Sequence, residues 1–193
     1  MSDKNINIPA HGSNVNRADI PAEWKWRVQD IYADEAHWQQ ACADFKAKLP
    51  QLAALQGTLN NAQVLYSALK LQDELSQMLD KIYAYARLQQ DADNTDQHLQ
   101  ALSGEAEGLA ASFSSANSFI EPEMLALGEE KVQEMLDSEP LLAEYKFYIS
   151  NLMRLANHVL SADKEALFAQ SRLATSSAAN AFRALVSADM QFP

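Results

Sequence analysis

Crosslinking, backbone freedom and positive charge are all scarce in this sequence. Its 193 residues include one cysteine, Cys42, so no internal disulfide can form. The 5 glycines and 6 prolines are scattered, and phosphate-cradling loops need clustered glycine. Only 15 Lys and Arg stand against 26 Asp and Glu. The formal net charge of -11 sets up a field that repels phosphate backbones and anionic lipid, which argues against nucleic-acid and membrane partners. No apolar run approaches the length of a membrane span. The opening "MSDKNINIPAHGSNVNR" also lacks the apolar core of a signal peptide, so the chain is expected to be cytoplasmic. Residues 1–19, rich in Asn and Ser, are expected to form a flexible or extended lead-in.

What remains is helix-forming. From about Ala33 onward the pattern predicts an all-α fold, with Gly and Pro mostly at element ends. A first helix is expected from Asp34 to Lys48, acidic in its opening turn and interrupted at Pro50, with Gln51 to Leu55 adding a turn before Gly57. Asn60 or Asn61 can cap a long second helix running to about Gln90. Its stripe is Ala68, Leu71, Leu75, Met78, Ile82 and Tyr85, widened by Leu65 and Leu79. A third helix, about Thr95 to Ser118, repeats this through Leu99, Leu102, Ala106, Leu109, Phe113 and Ala116, with the stripe continuing to Ile120. Two such seams joined by the polar turn "DADNT" predict an antiparallel helical hairpin, the centre of a bundle. Beyond it, Pro122, Gly128 and Pro140 divide shorter helices, the last strong one from Leu141 to Asn157. A capped helix is expected from Ser161, with Asp163 in its first turn, to Gln170, and an Ala-rich segment then continues to Val186. Asp189 to Phe192 alternate polar and apolar like the start of a strand before Pro193, which reads as a chain cut short.

The residues assign no catalytic, metal-binding or cofactor-binding position. In "DADNTD", Asp91, Asp93 and Asn94 suggest a calcium loop. The position needing glycine is Asp96, however, and the one needing a bidentate glutamate is Leu102, so turn and cap roles are expected instead. Of His11, His37, His98 and His158, none begins His-Glu-x-x-His or meets Cys or carboxylates at zinc spacing. His158, in "NHVLS", suits a helix C-terminus. There is no G-x-S-x-G, and "SFSSANS" reads as the small polar side of a helix. Cys42, in "ACADF", reads as a buried, inert thiol. Tyr83, Tyr85 and Arg87 in "YAYARL" are expected to pack within the hairpin, with a channel-facing role as the alternative.

One more pattern is longer in range. "IPAEWKWRVQDIYADEAHW" places Trp24, Trp26 and Tyr32 before the first helix, where they are expected to pack the entry segment onto the bundle. With "YAYARLQQDADN", "SFIEPEMLAL", "LMRLANHVLSADKEAL" and "ALVSADMQFP", it resembles the N-terminal part of oligoendopeptidase F-like zinc metallopeptidases, relatives of thimet oligopeptidase, from about Ile20 to Pro193. Arg27 and Val28 depart from the family's more usual wording. The resemblance implies a helical region, 20–193, that helps wall a channel admitting short peptides. It places the zinc and the HExxH helix in a C-terminal catalytic domain outside these residues. On that reading the partners are that domain and an oligopeptide substrate, this chain holds no zinc and is inactive alone, and the uncovered inter-domain surface favours self-association. The competing expectation is a free-standing helical module that binds a partner helix or peptide.

Overall fold

Three helices that bury matching stripes form the core of the chain's first part. The structure, a computed structural model, describes residues 20–93 and 96–155, together with Phe182. The expected flexible lead-in 1–19 lies outside them, as do His11, Asn94, Thr95, Asn157 and His158, and so do the expected helix from Ser161 to Gln170, the expected segment to Val186 and the expected strand-like end at Asp189 to Phe192. The described residues form six α-helices and three short 3-10 helices, with no strand among them. The fold class is all-α. The chain divides into two compact units, Met1–Phe147 and Tyr148–Pro193.

Helix α1, Glu35–Ala53, starts because the Asp34 carboxylate accepts the His37 backbone N–H at 3.0 Å, satisfying one of the donors left over at any helix start. Trp38, Cys42, Phe45 and Leu52 line its buried face at helical spacing. That stripe explains why Pro50 does not end the helix where expected. The proline removes one ladder bond, but Leu52, fully buried two residues later, rewards one further turn by about 2 kcal/mol of apolar burial. The backbone then turns through Gly57, whose φ of 80° suits glycine and whose N–H donates to the Glu123 carboxylate at 2.6 Å.

Helix α2, Ala62–Ala92, is the spine of the unit. Its 31 residues rise to about 46 Å, and Asn61 caps it by accepting from the N–H groups of Gln63 and Val64 at 2.9 and 3.2 Å. Leu65, Ala68, Leu69, Leu75, Ile82, Tyr85 and Ala86 are buried. Leu71, Met78 and Leu79, members of the predicted stripe, are half-buried at its edges. Helix α3, Gln97–Asn117, is capped by Asp96, which accepts from His98 and Leu99. Leu102, Ser103, Ala106 and Leu109 are its buried positions.

Helices α1, α2 and α3 pack on one another pairwise, so the hairpin of α2 and α3 is real and α1 completes a three-helix core. Fully buried Trp38 is a lock between two of these helices. Its indole N–H donates to the Ile82 carbonyl at 3.0 Å, and its ring lies 6.1 Å from Tyr85 at an interplanar angle of 23°. Phe45 meets Phe113 of α3 at 6.2 Å.

Helix α4, Ile120–Leu127, contains Pro122 where a division was expected. Pro122 is its third residue, and first-turn amides have no carbonyl to bond within the helix, so proline there removes nothing. Gly128 does divide: at φ 80° it ends α4 and begins α5, Glu129–Ser138. Pro140 opens a 3-10 helix, Pro140–Tyr145, in the stretch expected to be the start of one longer helix, and Tyr145 anchors it to α2 by donating its hydroxyl to Asp73 at 2.8 Å. Helix α6, Lys146–Leu155, follows, with Ile149 and Leu152 buried.

Candidate functional site

The residues with chemical capacity are mostly committed to helix ends. His37 Nδ1 lies 2.6 Å from the Asp34 carboxylate that also caps α1. The backbone N–H of His37, and then its side chain, hold the Asp34 carboxyl below the usual carboxylate range. His98 Nε2 lies 2.8 Å from Glu35 Oε2, tying the start of α3 to the start of α1. That carboxylate raises the imidazole's pKa through the hydrogen bond first and its charge second. These are two separate exposed pairs. Zinc needs three or four converging ligands, and the described residues hold no group of three His, Cys, Asp or Glu that could bind a metal. The described histidines and carboxylates therefore do not fit a zinc centre.

The "DADNTD" turn resolves in the same way. Asp91 pairs with Arg87 at 3.1 Å, Asp93 ends α2 and Asp96 caps α3, while Leu102 is buried in the core. Cys42 is 1% exposed. Burial, aided by the Glu105 charge, pushes its thiol up to about 11, so it is neither reachable nor ionised at neutral pH. In "YAYARL" the alternation sorts the side chains. Tyr85 is in the core, stacked on Trp38 and edge-on to Tyr32 at 5.6 Å, while Tyr83 is 37% exposed and Arg87 pairs with Asp91. Hairpin packing holds for Tyr85 and fails for Tyr83, because a two-residue step on a helix reverses the face.

The entry segment corrects a further expectation. Tyr32 packs on Tyr85, but Trp24 is 65% exposed and Trp26 58% exposed. A 3-10 helix at Ala22–Trp24 and another at Val28–Asp30 bend this segment, and only its last residues reach the bundle. Together with exposed Leu141 and Phe147, these indoles are large apolar groups left in water.

Concavities among the described residues are shallow, and in two of them the charged groups are already paired. A cleft of about 430 Å³ at the start of α2 is lined by Asn61, Lys131, Glu134 and Glu139. There Asn61 caps α2, Lys131 pairs with Glu134 and Glu139 accepts the Leu141 N–H. A second, of about 290 Å³ beside Gly57, has Glu123 and Asn60 as its polar side chains, and its one charged group, Glu123, already binds the Gly57 N–H. A groove of about 380 Å³ is different: it is lined by Ile31, Tyr32, Lys48, Glu74, Gln77, Met78 and Lys81. Lys48 pairs with Glu74 at 3.2 Å, and Lys81 has no hydrogen-bond or ion-pair partner among the described residues. Sequence reasoning counted Met78 and Tyr32 as packing residues and passed over both lysines. The signal was the spacing of Glu74, Met78 and Lys81 along one face of α2.

Comparison with known proteins supplies what the geometry does not. The family model described as Oligopeptidase F matches residues 123–192. The oligopeptidase PepF of Bacillus subtilis is 32% identical over 179 residues, covering 92% of this chain and 27% of that protein. The chain belongs to the oligopeptidase F family. It corresponds to the N-terminal region of those peptidases. The group B oligopeptidase PepB of Streptococcus agalactiae is 30% identical across 92% of the chain and 30% of its own length. The crystal structure of oligoendopeptidase-F from Enterococcus faecium superposes with a TM-score of 0.67 at 29% identity, covering 82% of this chain and 31% of that one. The chain thus spans less than a third of the length of each of these relatives.

Proposed function

We propose that this chain is the N-terminal helical part, residues 20–193 with the lead-in 1–19, of a cytoplasmic zinc peptidase that hydrolyses short peptides. In this reading the catalytic zinc is held by residues of the longer protein outside this chain. The helices wall the approach to it and limit entry to short, unstructured peptides, and the chain alone is inactive. The observation that carries the reading is the 32% identity to an oligopeptidase over 92% of this chain. The exposed Trp24 and Trp26 support a second part of it. Burying such indoles against a neighbouring domain is favourable by about 25 cal/mol for each Å² removed from water, so the rest of the peptidase is the partner that covers them. Uncovered, they favour self-association.

The test compares the chain alone with the chain extended by the sequence that follows it in its gene. Zinc content and cleavage of a quenched fluorogenic oligopeptide are the readouts. Zinc binding and cleavage by the extended form alone is the expected result. Cleavage by the isolated chain, or an extended form that neither binds zinc nor cleaves, overturns the reading and turns attention to a helical module that binds a partner.

A further inference from the structure

We propose that the groove between the Ile31–Tyr32 corner and α2 is a subsite for the carboxyl-terminal end of a short peptide, with Lys81 taking the carboxylate. The inference rests on the peptide-processing reading above and names the part of the substrate this chain would hold.

Charge makes the first argument. The chain carries a formal net charge of -11, yet the groove brings together two ammonium groups and one carboxylate, Lys48, Lys81 and Glu74. Glu74 is 3.2 Å from Lys48, which leaves Lys81 as the cation with no partner among the described residues. A groove of locally positive balance on an acidic surface favours an anion that can enter it, and the anion a short peptide always carries is its terminal carboxylate. Charge-assisted hydrogen bonds of this kind are stronger than neutral ones.

Shape and lining make the second. Glu74, Met78 and Lys81 follow one face of α2, and the seven-residue step from the first to the last rises about 10 Å, room for roughly three extended residues. Tyr32 lies edge-on to Tyr85, one turn beyond Lys81, so the aromatic wall stands at the Lys81 end. Ile31, Tyr32 and Met78 are half-buried there, which suits an apolar last side chain beside the carboxylate. The Tyr32 hydroxyl, protonated at neutral pH like any ordinary phenol, supplies a second donor. In the two concavities described above the lysine or carboxylates present are already paired, whereas this one sets an unpaired cation beside an apolar wall.

One charge-assisted contact and one apolar side chain correspond to a Kd on the order of 1 mM. The test titrates N-acetyl-Leu-Leu, as the free acid and as the C-terminal amide, into the 15N-labelled chain. The expected result is saturable shifts at Ile31, Tyr32, Met78 and Lys81, with the amide weaker by about tenfold, the loss of one such contact. Lys81→Gln should remove the difference between acid and amide, while Glu74→Gln, which releases Lys48, should tighten the acid by roughly threefold. Opposite signs at two exposed positions are not what a merely structural role gives. Equal binding of acid and amide, shifts confined to other residues, no saturable shift, or retained discrimination in Lys81→Gln overturns the proposal. The peptidase reading fails separately: an extended protein that cleaves peptides while the groove is silent loses only the subsite, and a groove that binds in a protein that never cleaves loses only the peptidase.

Discussion

Replacing Trp38 with phenylalanine should reveal how much of the three-helix core depends on one side chain. Trp38 is 0% exposed, donates its indole N–H to Ile82 at 3.0 Å and stacks near Tyr85. Phenylalanine keeps a ring in place but removes the donor and roughly 40 Å³ of filled volume, worth about 1 kcal/mol in cavity cost. The hydrogen bond contributes about 1 kcal/mol more. The Ile82 carbonyl, inside α2, keeps its acceptor role toward the amide four residues on, so no orphaned group adds to this. Lost apolar contact brings the total to about 2–3 kcal/mol, below the 3–5 typical of removing the whole ring.

Urea unfolding followed by far-UV circular dichroism measures this directly. With a slope of about 2 kcal/mol/M, the midpoint should fall by about 1–1.5 M with the slope unchanged. Fluorescence gives an independent check, because Trp24 and Trp26 are exposed where Trp38 is not. The variant should lose the blue-shifted emission that acrylamide cannot reach and keep the quenchable part. Trp24→Phe should keep the blue-shifted part, lose only Trp24's share of the quenchable part because Trp26 remains exposed, and stay within about 0.5 kcal/mol of the parent. A midpoint shift under about 0.3 M for Trp38→Phe, or loss of the quenchable component instead, would refute the account of the core.

Other expectations follow from single contacts. His98, whose pKa Glu35 raises, stabilises the fold most fully below its ordinary pKa of about 6.5 and loses that contribution as pH rises through the folded value; an NMR titration should show the shift vanish in Glu35→Gln. Cys42, pushed up to about 11 by burial, should resist a disulfide reagent at neutral pH and react once urea unfolds the chain. Gly128→Ala forces an L side chain onto φ 80° and ψ 161°, a region almost reserved for glycine, at a position with open space around it, so backbone strain alone should lower stability by about 1–3 kcal/mol in the same urea assay. Tyr145→Phe removes the donor to Asp73 and should destabilise by about 1 kcal/mol.

The contrast between Trp38 and its two neighbours shows which parts of the architecture could be read from the chain. Helix existence followed from spacing: Leu65, Ala68, Leu75, Ile82 and Tyr85, then Leu102, Ala106, Leu109 and Ile120, are buried where periodicity put them, while Leu71, Met78, Leu79, Leu99, Phe113 and Ala116 are half-buried. The caps at Asn61 and Asp96 form where an Asx residue precedes an apolar run. Proline misled for a positional reason. Pro50 and Pro122 both lie inside helices, one near an end held by a buried leucine and one in a first turn that does not need its amide, and a sequence marks the residue without marking its place in the turn. Trp24 and Trp26 misled because aromatic character measures the gain from burial without naming the surface that provides it.

The groove was hidden for a related reason. Its two lysines come from different helices, and what distinguishes Lys81 from Lys48 is only that Glu74 reaches one of them. Pairing is a property of three dimensions, and a sequence with 26 acidic residues gives every lysine the same prospect of a partner. Family membership was legible because it depends on ordered blocks rather than on any one contact. The relatives that share this region are oligopeptidases more than three times as long, and under the proposed function this region contributes through what its surface offers to a substrate or a neighbouring domain. The groove with an unpaired cation and the exposed indoles of the entry segment are the two features that offer something, one electrostatic and one apolar. They can be tested apart, since a charge change at Lys81 leaves Trp24 and Trp26 untouched.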